Sequence, residues 1–320
     1  MTYEPPCERT TKIDSFCMEI AELVGALSPQ TPLAKSPTLH HELRIKTIHS
    51  SLFIEGNKLD EKAVTAIIDG KRVLGNEQDI LEVENAKRAY DLLPELDPYS
   101  IDDLLKVHYE MTQGLTAEAG RFRSRNVGVF DGDVLIHAGT PATYVPTVMS
   151  DLFNWLKATE LHPLLASCIF HFEFEFCHPF ADGNGRTGRL WQTLLLSRWR
   201  PIFAWLPIES TIRERQAGYY DTLAKSDAAG SSEVFVEFML EAIRDSIKPF
   251  ANPTNEHEQA KSKTLAFFRE QPNGTISQLA EHLGSSKRSA ERIVAELKGE
   301  DVLDRQGSSR NGSWIVKAKG

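Results

Sequence analysis

The chain has 320 residues, 41% hydrophobic and 25% charged, a balance that belongs to folded globular proteins and excludes disordered or collagen-like chains. No apolar run is long enough to span a membrane, and the start, Met1 to Glu8, lacks the basic-then-apolar layout of a signal peptide. The net charge of −9 is uneven: from Lys261 onward 11 Lys and Arg face 7 Asp and Glu, net +4, while the preceding residues carry 25 against 38, net −13. Four cysteines (Cys7, Cys17, Cys168, Cys177) stand apart without Cys-x-x-Cys spacing and read as reduced thiols, so a cytoplasmic location is expected.

Apolar spacing at Ile13, Phe16, Ile20, Leu23 and Val24 predicts a helix over 11–27, ended by Ser28-Pro29-Gln30-Thr31-Pro32. A second helix runs from about His41 to Glu55 and stops at Gly56-Asn57. Glu55 opposes the helix macrodipole there, a penalty that a nearby cation would remove, and Ser51 one turn earlier is placed to steady its carboxylate. Helices follow at Glu61–Asp69, Ile80–Leu92 and Ile101–Leu115, then Gly120-Arg121-Phe122-Arg123. Val127–Tyr144 reads as a β-hairpin turning at Asp131-Gly132, with His137 a solvent-facing histidine. Val148–Thr159 and Pro163–Cys177 are predicted helical. The alternating Phe170, Phe172, Phe174 and Phe176 look strand-like, but the longer apolar period outweighs them, and His171 reads as a satisfied buried histidine. Helices containing Gln216–Leu223 and spanning Ser232–Phe250 complete the body. A linker is expected over 251–260, and a small domain over 261–320.

The stretch from His178 to Arg189, His-Pro-Phe-Ala-Asp-Gly-Asn-Gly-Arg-Thr-Gly-Arg, lies between two apolar helical segments and opens onto the N-terminus of the second. Gly183 and Gly185 admit positive φ and close approach, successive amides there form an anion nest, and Arg186 and Arg189 add planar forks suited to phosphate. Asp182 suits a hard cation such as Mg²⁺ better than a plain ion pair, His178 is placed to deprotonate an incoming hydroxyl, and Phe180 anchors the loop in the core. Base, metal and phosphate cradle together describe a phosphoryl- or nucleotidyl-transfer site.

At eight fixed positions this stretch resembles the motif of Fic-domain proteins, His-x-Phe-x-acid-Gly-Asn-Gly-Arg-x-x-Arg, and no P-loop Gly-Lys-Ser/Thr follows it. Ser51-Leu52-Phe53-Ile54-Glu55-Gly56 resembles the family's inhibitory motif, whose Glu pairs with the second motif arginine, here Arg189, and blocks placement of the ATP γ-phosphate. Its position before the core implies a class II member. Gly120–Arg123 resembles the segment before the target-binding flap, where the target adds as a strand. Tyr219-Tyr220 resembles the Tyr-Tyr segment near the nucleotide, which leaves Tyr220 two roles, lining an adenine pocket or packing. Beyond the body, Ile276–Leu283, Gly284 and Ser286–Leu297 have a helix–turn–helix layout, and Val302-Leu303 with Trp314-Ile315-Val316 would form a wing around Gln306–Gly312. This resembles a winged helix domain, with Lys287, Arg288 and Arg292 on the second helix beside Glu291 and Glu296, so DNA and protein both stand open as its partner.

The resemblance implies a mainly α fold. A Fic helical bundle with a β-hairpin flap fills 1–250, with an inhibitory helix near 41–56 and a core near 100–225, and a small winged helix follows. The implied activity is AMP transfer from ATP to a Ser, Thr or Tyr hydroxyl of a protein, the chain itself included. His178 would act as base and Asp182 as the Mg²⁺ ligand. Amides at Gly183, Asn184 and Gly185, with the Asn184 side chain, would hold the α-phosphate, while Arg186 and Arg189 would grip the outer phosphates. The alternatives are removal of AMP with Glu55 placing the water, another phosphate-group transfer, and a winged helix transcriptional regulator with a vestigial site. Dimer-controlled inhibition is a family feature on which these residues are silent.

Overall fold

A computed structural model describes residues 3–27, 32–131, 134–251, 253–307 and 312–317. The chain divides into two compact units, residues 1–248 and 249–320.

In the first unit, α1 (Thr11–Ala26) is capped by the Thr10 hydroxyl, which accepts from Ile13 N–H, and it buries Ile13, Phe16 and Ile20. The breaker expected after it, Ser28 to Thr31, lies outside the described residues. The short α2 (Pro32–Lys35) precedes α3 (Pro37–Ile54), which begins one turn before the expected His41 because Ser36 caps it and Pro37 supplies a pre-set first turn. It stops at Glu55, followed by Gly56 at φ +91°. Then come α4 (Glu61–Ile68), α5 (Glu77–Asp91) and α6 (Ile101–Thr112). Next, β1 (Gly128–Asp131) and β2 (Val134–Ala138) pair antiparallel, with an irregularity at Val129/Phe130. Gly132 of the expected turn and the His137 side chain lie outside what is described.

Helices α7 (Val145–Ala158), α8 (Pro163–Cys177), α9 (Asn184–Trp199), α10 (Ile208–Glu214), α11 (Gln216–Ala229) and α12 (Glu233–Ala251) complete the unit's elements. The α8–α9 hairpin is the core: Leu164, Phe170, Phe174, Leu190, Trp191, Leu194 and Leu196 have no exposed surface. A helix surrounded by its neighbours carries no single apolar stripe, which is why α8 imitates a strand in sequence. Its His171 is buried, with Nδ1 paired to Gln192 Oε1 at 2.7 Å and Nε2 to the Tyr219 hydroxyl at 3.1 Å. The cysteines are free thiols, two of them buried. Among the described residues no helix is long and apolar enough to cross a membrane.

The second unit contains α13 (Pro253–Glu270), α14 (Ile276–His282), α15 (Lys287–Gly299) and an antiparallel pair, β3 (Leu303–Gln306) and β4 (Ser313–Val316). Helix thus replaces most of the linker expected over 251–260. A proline in the first turn, Pro253, is compatible with a helix, and Pro249 near the end of α12 leaves that helix to run on to Ala251. Phe267, Phe268, Leu279, Ile293, Leu297, Leu303 and Trp314 form the core of this unit. The Trp314 indole donates to Gly274 O at 3.1 Å, tying β4 to the turn before α14. Residues 308–311 of the expected wing lie outside the described residues.

Candidate functional site

His178 ends α8 in the left-handed region, at φ 50° and ψ 61°. Its backbone is fixed on both sides. His178 N–H donates to Phe174 O at 3.0 Å, and Arg123 Nε donates to His178 O at 2.7 Å. The Arg123 guanidinium is spent wholly on carbonyls: Nη1 reaches Arg125 O at 2.9 Å, and Nη2 reaches Thr140 O and, at 3.3 Å, Cys177 O. One arginine thereby ties both ends of the β1–β2 segment to the histidine, using a planar fork that a lysine lacks. The arginine of the Gly-x-x-Arg segment is a clamp, a role its sequence alone did not disclose.

The loop after His178 is shorter than the motif. Helix α9 already begins at Asn184, so only 178–183 is irregular. Gly183 takes φ +81° at its N-cap, and a Cβ there would meet Thr112 Cγ2 at 2.6 Å. Gly185, expected to need positive φ as well, is helical. Its role is steric, since a Cβ would collide with Glu55 Oε1 and lie 2.9 Å from Arg189 Nη1.

Asn184 is a second correction. Its amide is buried and faces inward, with Oδ1 accepting from Phe180 N–H at 2.8 Å and Nδ2 donating to Phe180 O at 2.9 Å. Phe180 is itself buried, so its peptide groups need partners that water cannot supply. The side chain expected on the α-phosphate staples the loop instead.

His108 completes that scaffold and was missed in sequence. Its ring stacks on Phe180 with centroids 3.6 Å apart. Nδ1 accepts from Gly120 N–H at 3.0 Å, which leaves the proton on Nε2 for donation to Asp182 O at 2.9 Å. Burial holds its pKa down at about 4, so the ring is neutral. The signal was its place in the buried stripe Leu104, Val107, His108, Met111 on α6.

Helix α9 has no side-chain N-cap, and Thr187 N–H to Gly183 O opens its ladder at 3.0 Å. The amides of Asn184, Gly185 and Arg186 come before that bond and lack intrahelical acceptors, an anion-binding arrangement. Arg186 is nearly buried. Its Nη2 lies 3.1 and 3.0 Å from the two Asp182 oxygens, and Nη1 lies 3.5 Å from Glu82 Oε1. The ion pair that seemed a poor use of Asp182 therefore forms, because the left-handed turn at Gly183 brings the loop residue Asp182 back beside the first turn of α9, where Arg186 lies. Arg186 Nε and Nη1, like Arg189 Nη1, are buried without hydrogen-bond partners.

Arg189 is fully enclosed and meets the end of α3. Nε donates to Ser51 Oγ at 3.1 Å, Nη2 to Ser51 O at 3.0 Å, and Nη2 to Glu55 Oε1 at 2.8 Å. Ser51 was expected to steady Glu55, but it binds the arginine, whose fork has more donors than one carboxylate oxygen can accept. Burial alone would lower the Arg189 pKa. The charge and hydrogen bond of Glu55, together with Tyr219 and Glu175, outweigh it and hold the guanidinium above its ordinary range. Tyr220, open in sequence to an adenine pocket or to packing, donates its hydroxyl to Ile54 O at 3.1 Å, and Gln216 Nε2 donates to the same oxygen at 3.0 Å. Both satisfy a carbonyl that the end of α3 would otherwise leave open.

Among the described residues no group of three His, Cys, Asp or Glu side chains gathers to hold a metal. One half-exposed carboxylate, Asp182, at the mouth of an amide cradle fits the mode in which Mg²⁺ takes few protein ligands and shares phosphate oxygens.

The chain matches the Fic/DOC family over residues 98–196. It is 41% identical to a Fic family protein from Desulfovibrio desulfuricans G20 of known crystal structure, with a TM-score of 0.75 and 99% of each chain covered. It is 26% identical over 282 residues to protein adenylyltransferase Fic of Nematostella vectensis, covering 83% of this chain and 62% of that one. It is 28% identical over 219 residues to protein adenylyltransferase fic-1 of Caenorhabditis elegans, covering 63% and 40%. The chain thus spans roughly half the length of these curated relatives.

Proposed function

The chain belongs to the Fic family, and from that premise we propose that it is a protein adenylyltransferase held in an inhibited state by Glu55. The observation that carries this reading is the 2.8 Å contact between Glu55 and the buried Arg189, beside the open amides of α9. A carboxylate stands where an anionic substrate would bind.

In the proposed reaction the hydroxyl oxygen of a protein Ser, Thr or Tyr attacks the α-phosphorus of ATP. The bond from that phosphorus to the β-phosphate oxygen breaks, and pyrophosphate leaves. The hydroxyl proton passes to His178, whose position is set by the left-handed helix end and the Arg123 clamp. The α9 amides at Asn184 and Gly185 stabilise charge on the α-phosphate, while Arg186 and Arg189 hold the outer phosphates once Glu55 has withdrawn. Asp182 would hold Mg²⁺ carried with the nucleotide, which would supply neutralisation of phosphate charge. Tyr220 and Gln216, bonded to the last carbonyl of α3, favour the closed position.

We read residues 261–320 as a winged helix, supported by the order α13–α14–α15–β3–β4 and the exposed Lys287, Arg288 and Arg292 on α15. Nucleic acid is its proposed partner, and the proposed location is the cytoplasm.

The test uses ATP labelled at the α- or the γ-position, with Mg²⁺ and a cell lysate. Label is expected on protein from the α-position only, weak with wild type, strong with Glu55→Gly, and absent when His178→Ala is added. Transfer of γ-label, or labelling that survives His178→Ala, refutes the assignment.

A further inference from the structure

The far end of α3 borders a second site. A cleft of about 630 Å³ is lined by Pro37, His40, His41 and Arg44 of α3, with Tyr90, Arg198 and Trp205 opposite. The four α3 residues fall at i, i+3, i+4 and i+7, one continuous stripe of the helix. That volume is ordinary for a small-molecule site.

The lining is chemically one-sided. The Arg44 guanidinium lies over two rings, 4.8 Å from the Tyr90 centroid and 5.1 Å from that of Trp205, and the His40 ring stacks on Trp205 at 4.0 Å. Among the described residues Arg44 makes one hydrogen bond, from Nη2 to Ala204 O at 3.2 Å. Among the described residues Arg198 Nη2 meets only the carbonyls of Leu93, Pro94 and Leu96. Among the described residues neither guanidinium has a carboxylate within ion-pair distance, and Asp91, the acid in the lining, pairs with Lys87 at 2.6 Å. Arg44, half-buried and reached only by the longer-range charge of Glu209 and Asp91, and the exposed Arg198, beside stacked rings and the positive end of an 18-residue helix, describe a preference for one ligand type.

We propose that this cleft binds an organic anion that joins a flat ring to a phosphate or carboxylate group. The ring would lie against Trp205, and the anion would meet Arg44 and Arg198. Because one wall is α3, such a ligand also reaches the helix that carries Glu55, 11 residues beyond Arg44, or roughly 16 Å along the axis. This second part rests on the reading of α3 as inhibitory.

The test is calorimetry on the full chain with phenyl phosphate as probe, against inorganic phosphate and phenol. Phenyl phosphate is expected to bind at least about tenfold tighter than either control. Saturating ATP should leave that binding in place in Glu55→Gly, where the closed contact is absent, and Arg44→Gln should weaken it about tenfold or more. Should Arg44→Gln lower the unfolding midpoint, Arg198→Gln, which leaves the ring stack intact, decides in its stead. No binding, displacement by ATP in Glu55→Gly, or affinity unmoved by the deciding variant overturns the site. For the coupling, phenyl phosphate affinity is compared between wild type and Glu55→Gly. Linkage requires a difference equal to the ligand's effect on the closed position. Equal affinities overturn the coupling and leave the site standing, whereas failure of Glu55→Gly to label protein bears on the inhibition alone.

Discussion

Replacing Glu55 with Ala should make this protein less stable and more active at once. Arg189 is 1% exposed and Glu55 32% exposed at a separation of 2.8 Å. At an effective dielectric of about 20 their attraction is roughly 6 kcal/mol, and desolvation with partial exposure of Glu55 brings the net to about 2–3 kcal/mol. If nucleotide must displace this contact, only about one molecule in 30 to 150 is open, and apparent nucleotide affinity falls by that factor. Glu55→Ala should therefore raise the initial rate of α-labelling at low ATP about 30- to 150-fold. It should also lower the urea unfolding free energy by about 2–3 kcal/mol, because a buried guanidinium loses its partner, and ATP should restore part of it. Ala isolates the carboxylate better than Gly, which would also loosen the end of α3. A folded Glu55→Ala protein that labels no faster than wild type would remove the basis for inhibition. Faster labelling without any loss of stability would show that the contact is too weak to inhibit.

Three further outcomes follow from the same geometry. His108 is held neutral by burial at a pKa of about 4 against 6.5 when free, so the unfolded chain binds more protons between those values. Its contribution is present above pH 6.5 and lost as pH falls towards 4, on the order of 3 kcal/mol, and urea titrations of His108→Gln should lack that slope. Asn184→Ala strips both partners from the Phe180 backbone and should cost about 2–4 kcal/mol in the same assay; a change under about 0.5 kcal/mol would mean the amide is not a staple. Joint replacement, Gln216→Ala with Tyr220→Phe, frees the Ile54 carbonyl and should raise basal labelling a few-fold, corresponding to about 1 kcal/mol. Unchanged labelling would confine those residues to packing.

The types of residue at the site were legible in the chain; their partners were only partly so. An acid misplaced at a helix end called for some nearby cation, and only the resemblance to the family's inhibitory motif pointed to Arg189 as that partner. Asn184 and Ser51 have other partners than those expected of them. In both cases a buried backbone group or a many-donor guanidinium competed for the same side chain, and the outcome depends on distances that spacing does not encode. Arg186 and Asp182 sit four residues apart, and that spacing means little until α9 is known to begin at Asn184. The helix at 253–270 was obscured by Pro249 and Pro253, residues that more often end a helix than lie within its last or first turn.

The left-handed backbone at His178 carries one more implication. A side chain with a Cβ resists that conformation by about 1 kcal/mol, while glycine adopts it freely. The residue that the proposed chemistry requires is therefore not the one the fold prefers. Copies of this gene propagated under selection for a well-folded product alone would drift towards glycine there. Retention of the histidine across such a lineage would then record continuing demand for catalysis, independently of any knowledge of the target.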